Sequence, residues 1–278
     1  MSDSQSQASL TQRTGLALAQ ALRHERAGAA FLTDGRVRRI DDLLIDGVHH
    51  EHLPGSIDRT RLRSPQSAAA LAINTFLPWQ RTPEQLPLAG WTGFDAVQFE
   101  VRCPTGLRGT PPHLDFVALR GEVVVAVTVR CIEYLSRRKT AVAASYDRLL
   151  TSTPGLDPWR RQLERLRREP SRHRHLDLGA LLKFALALGR TFPERPTTLL
   201  YLYWEPLNAE AFDEFGHHRR EAAELAAAVG DARVAFDALS FDAMWRQWAT
   251  VGAPEWLPDH VDRLRARYSV PIVAGRPL

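Results

Sequence analysis

"PPHLDFVALRGEVVVAVTVRCIEYL", residues 111–135, decides the fold. It reads as two strands joined by a tight turn at Arg120-Gly121-Glu122, with Asp115 early in the first strand. The second strand, residues 123–131, presents only valine on one face: Val123, Val125, Val127 and Val129. Its other face starts with Val124 and Ala126 and ends with Thr128 and Arg130. A strand apolar on both faces belongs in the middle of a sheet covered on both sides. Its polar end is the anomaly, because a guanidinium in such a place is costly unless it is paired or used.

Working outward, "FDAVQFEVRC" (94–103) alternates Val97, Phe99, Val101 and Cys103 with Gln98, Glu100 and Arg102, a strand half open to water. Two further strands are expected at 197–206, "TTLLYLYWEP", ended by Pro206, and at 233–239, "RVAFDAL". Apolar spacing predicts helices over 9–30, 136–150, 207–229, 240–251 and 256–268. Another is expected from Ser64, as N-cap with Pro65 at the first helical position, closing before Pro78. A charged helix is expected at 158–169, and "LDLGALLKFALALGR" (176–190), apolar nearly all round, should be buried. This order predicts an α/β fold, a central mixed sheet flanked by helices. An N-terminal helical segment (1–40) and the domain that follows (41–278) are expected to form one compact unit.

The 278 residues are 44% hydrophobic and 24% charged, the composition of an ordinary globular protein. No apolar run approaches the ~20 residues of a membrane span, and the first residues lack a signal-peptide pattern, so a cytoplasmic protein without a membrane partner is expected. Cys103 and Cys131 are too few for a disulfide framework. The net charge is +4, and of 36 basic residues only Lys139 and Lys183 are lysine; the rest are arginine, which binds phosphate bidentately.

The polar residues on or beside the three central strands are Glu100, Asp115, Thr128, Arg130 and Glu133. One reading is a local ion pair between Asp115 and Arg130. The other is a polar site at the sheet end, where carboxylates hold a divalent metal and a cation meets phosphate. Here the chain resembles the PD-(D/E)XK nucleases, whose signature is a carboxylate on one strand of a hairpin and acid-any-lysine on the next. "PPHLD", with Pro112 and Asp115, is similar to the first half, and "VVVAVTVRCIEYL" to the second. "RSPQSAAALAINTFLPW", "LDLGALLKFALALG", "LLYLYWEP" and "VDRLRARYSVP" resemble, in the same order, segments of a bacterial branch of largely unassigned function.

The resemblance implies a restriction-endonuclease-like fold. It also implies a site in which carboxylates hold Mg²⁺ or Mn²⁺ and a lysine assists the attacking water. In this chain Asp115 keeps the aspartate position, but Thr128 stands at the metal-binding acid and Arg130 at the lysine. Threonine does not replace a carboxylate ligand, and arginine stays protonated and is no base. The expectation is therefore an altered site without standard metal-dependent cleavage, binding DNA, RNA or a protein partner. The alternative is an enzyme with a rearranged site. That site would be either a metal centre rebuilt from Glu100, Asp115 and Glu133 or a different small-molecule reaction, with Lys183 and Asn74 as further polar groups of the pocket. The histidines of "HHEH" (49–52) and "HRHLD" (173–177) lack metal-site spacing and read as loops. Trp204 reads as core and Glu205 as a surface strand end.

Overall fold

The computed structural model describes residues 9–55, 57–136, 140–248 and 254–273. Five strands form one sheet in chain order: β1 (Ala96–Arg102), β2 (His113–Arg120), β3 (Val123–Arg130), β4 (Thr197–Tyr203) and β5 (Val234–Ser240). β1, β2 and β3 run antiparallel to their neighbours, and β3, β4 and β5 are parallel, so the sheet is mixed as expected. The hairpin turns on Gly121, whose φ of +48° suits glycine and whose amide donates to Asp95 Oδ2 at 2.7 Å. β3 is the centre of the molecule: Val124, Val125, Ala126, Val127 and Val129 have no exposure to solvent.

Parallel neighbours need crossovers, and these supply one helical layer. α3 (Ser145–Ser152), α4 (Asp157–Arg168) and α5 (Leu178–Thr191) connect β3 to β4, and α6 (Asp213–Val229) connects β4 to β5. Both crossovers step the same way across the sheet, so right-handedness puts their helices on one face. There Trp159 meets the Phe236 ring edge-on and donates to the Val234 carbonyl, and His218 reaches Tyr201. The opposite face receives α1 (Leu10–Glu25), α2 (Ala68–Phe76), α7 (Phe241–Trp248) and α8 (Leu257–Tyr268). Phe76 stacks on Phe116 with centroids 4.3 Å apart, Trp248 packs edge-on against Phe76 and Trp79, and α1 lies on α8. The N-terminal helix is thus part of the same compact unit. Among the described residues no helix is long and apolar enough to cross a membrane.

Several boundaries differ from expectation for local reasons. α1 stops at Glu25, where the Arg26 amide closes the last turn on the Leu22 carbonyl, and a turn at Gly28 follows. α2 is capped by Ser67 rather than Ser64, because Ser67 Oγ accepts from the Ala70 amide at 3.0 Å. The helix expected at 136–150 is α3, displaced to Ser145–Ser152; residues 137–139 lie outside the described residues. After Pro206 the chain makes a short 3-10 turn at Ala209–Ala211 before α6 begins. The end of the helix expected at 240–251 falls in 249–253, also outside the described residues.

Candidate functional site

Strand register brings the expected polar residues into line. Glu100 and Asp115 occupy the step between the pairs Phe99/Phe116 and Val101/Leu114, and Thr128 pairs with Tyr201. Asp115 and Thr128 follow the last regular β2–β3 pair, Phe116/Val127, where the backbone ladder ends. Glu100, Asp115, Thr128 and Tyr201 therefore form one transverse row on four neighbouring strands. The next row holds Arg102, His113, Arg130 and Tyr203, while the row before it is apolar at Val117, Ala126 and Leu199 and polar only at Gln98 on the edge strand. The polar chemistry gathers at the carboxyl end of β3, where crevices of open α/β sheets take their ligands.

Asp115 replaces the missing ladder bond itself: its Oδ2 accepts from the Val129 amide at 2.8 Å. Burial pushes its pKa up to about 6, against the opposing pull of the nearby Arg130 charge and of the Val129 amide. Arg130 does not form the ion pair with Asp115 that one sequence reading anticipated. Its Nη1 donates to Thr128 Oγ1 at 3.0 Å and to its neighbour's carbonyl, Val129 O, at 2.7 Å. The guanidinium lines a cleft of about 420 Å³ at the carboxyl ends of β3 and β4, together with Glu133, Tyr201, His175 and Asp177.

Glu100 sits in the left-handed region, φ +50°, and its nearly buried carboxylate accepts from Arg61 Nη1 at 3.3 Å and from His113 Nδ1 at 3.4 Å. Such backbone is strained for a glutamate and marks a position fixed by its surroundings. A gap of about 10 Å³ beside Glu100 and Asp115, under α2, has room for about one water. Glu133 turns back on its own loop, where Oε2 accepts from the Cys131 amide at 2.7 Å.

Two expected members are elsewhere. The Lys183 ammonium lies over the Tyr146 ring of α3, 6.0 Å from its centroid, and lines neither the cleft nor the gap at Asp115. Asn74 is buried on α2 and works as a staple. Its Oδ1 accepts from the Ile45 amide at 3.0 Å, and its Nδ2 donates to Leu43 O at 2.9 Å and to Tyr268 Oη at 2.7 Å. This is the helix-to-loop bond, and Asn74 has no donor left for a pocket.

The donor set does not fit a divalent cation. Asp115, Glu100 and Glu133 each already accept from an amide or a basic side chain, Thr128 is occupied by Arg130, and Arg61 and Arg130 add positive charge. Among the described residues no three His, Cys, Asp or Glu side chains gather closely enough to hold a metal ion. The rebuilt centre of Glu100, Asp115 and Glu133 is not assembled.

The sequence reading missed a layer behind Arg130. His218 Nε2 and Tyr201 Oη share a hydrogen bond of 2.9 Å, and the His218 ring stacks on Tyr134 at 4.0 Å and meets Tyr203 edge-on. Burial drops the pKa of His218 to about 3, so the ring is neutral. Glu205 is not the expected surface residue: it is largely buried near Arg219, and burial lifts its pKa to about 7. Trp204 is core, as expected. The available signal was "LYLY" itself, whose alternation puts Tyr201 and Tyr203 on the face of Thr128 and Arg130 once β4 is placed beside β3. No family model, curated protein or solved structure matches the chain.

Proposed function

We propose that this chain is a PD-(D/E)XK-like protein of restriction-endonuclease-like fold that lacks the metal-dependent cleavage of that group and binds nucleic acid through Arg130. The observation that supports this most is the state of Arg130. Thr128 and the Val129 carbonyl hold one guanidinium nitrogen, among the described residues no carboxylate lies within ion-pair distance of the group, and Arg130 lines the 420 Å³ cleft. A guanidinium fixed in that way suits a phosphodiester, which it recognises by charge and by paired donors. Asp115, held by the Val129 amide, acts here as a structural acceptor that shapes the end of the hairpin.

The test uses the purified chain with labelled single- and double-stranded DNA and RNA, with Mg²⁺ or Mn²⁺ present. The expected result is retardation without cleavage, weakening steeply as salt rises. Arg130→Ala should weaken retention about tenfold, the effect of losing a charge-assisted contact. Cleavage abolished by Asp115→Ala would replace this reading with an active nuclease, and absence of binding to every oligonucleotide would end it.

A further inference from the structure

A second, larger recess lies next to the Arg130 cleft and shares His175 and Asp177 with it, a groove of about 640 Å³ between α4, the 140–142 segment and the loop leading into α5. Its volume is in the range of small-molecule sites, roughly 300–1,000 Å³. Its carbon walls are aliphatic: Val142, Leu163, Leu166, Pro170, Leu176 and Leu178, with no Phe, Tyr or Trp on which a nucleobase would stack.

The loop that forms its floor is irregular but held rigidly. Glu221 of α6 accepts from three consecutive amides, Arg174 at 2.7 Å, His175 at 2.9 Å and Leu176 at 2.8 Å. Asp177 caps α5 by accepting from the Ala180 amide, and its other oxygen accepts from the Thr140 hydroxyl, which ties the opposite wall in place. Gly179 allows that closeness, since a Cβ there would lie 2.3 Å from the Thr140 carbonyl. The result is a preorganised recess.

Its polar groups point to the ligand. Asp177 is spent on the two bonds above, and Arg167 is paired with Asp147. Among the described residues the Arg174 side chain has no ion pair or hydrogen bond. His173 also lines the groove, with its Nδ1 turned away from the open space and without a partner. We infer that this groove binds an amphipathic organic anion, an aliphatic body against the leucines and a carboxylate or phosphate head on Arg174.

The test is a fluorescence titration with 8-anilinonaphthalene-1-sulfonate as probe, competed by decanoate, decyl phosphate and inorganic phosphate. Saturable binding of one probe per chain is expected, displaced by decanoate or decyl phosphate, whose ranking names the head group, and not by inorganic phosphate. Arg174→Ala should weaken binding about tenfold, and Leu166→Arg, which fills the groove, should abolish it. In spectra of the intact chain the His173 ring nitrogen resonances should move on adding decanoate. Equal affinity in both variants, no saturable binding, or unmoved His173 resonances would overturn the inference. Where Leu166→Arg does not fold, Arg174→Ala and the His173 resonances decide.

Discussion

At the scale of the residue, Asp115 is the informative side chain. It ends a ladder by accepting the Val129 amide, and burial raises its pKa to about 6 from 3.8. An acid that holds its proton more tightly folded than unfolded adds stability below the unfolded pKa and loses it as pH rises through the folded one. Asp115 therefore favours the fold below about pH 4, and that contribution is gone above about pH 6. Asp115→Asn keeps an acceptor for Val129 and removes the ionisation. The variant should be the more stable protein near neutral pH, by up to roughly 3 kcal/mol, with the gap closing toward about pH 4. Urea unfolding of both proteins at several pH values checks it; a gap independent of pH would show that Asp115 ionises freely in the fold.

At the scale of the element, the hairpin and α2 carry the site, and Asn74 fixes α2. One amide side chain joins α2 to the 43–45 loop and to Tyr268 at the end of α8. Asn74→Ala leaves the Ile45 amide without its acceptor and the Tyr268 hydroxyl oxygen without its donor in the interior, so a loss of roughly 3 kcal/mol is expected in chemical denaturation. Binding by the folded fraction should be unchanged, because Asn74 does not reach the cleft. The same scale explains why the start of α2 differs from expectation: Ser64 and Ser67 both have the chemistry of a cap, and Ser67 is the one whose hydroxyl meets the first-turn amide of Ala70.

At the scale of the whole molecule, the first and last helices close the fold. Arg267 of α8 is only 2% exposed; its Nε donates to Glu25 at the end of α1 and its Nη1 to the Leu43 carbonyl at 3.2 Å. Removing Glu25 leaves that charge buried without its carboxylate, and Glu25→Ala should cost about 3 kcal/mol. The double variant Glu25→Ala/Arg267→Met should recover part of the loss, since the stranded charge goes with it. With α1 seated on α8, unfolding should appear as one cooperative transition by fluorescence and circular dichroism alike. A separate early transition of the N-terminal helix would contradict this packing.

The sequence by itself determined the layers. The apolar run on both faces of β3 from Val123 to Val127 requires cover on both sides, and alternation in β1 marks the sheet edge, because the period of two is a local property of the chain. It also located Asp115, Thr128, Arg130, Glu100 and Glu133 near one another in the chain. Which of them pair was decided only by the tertiary structure. Arg130 bonds to Thr128 rather than Asp115, Glu100 is held by Arg61 from a distant loop, and Lys183 lies over Tyr146 rather than at the site. Tyr201, His218 and the groove beside α5 exist as a site only after the β3–β4 register and the crossovers are set. Hydrogen-bond partners depend on separations of about 3 Å between residues far apart in the chain, and residue type and spacing do not encode these.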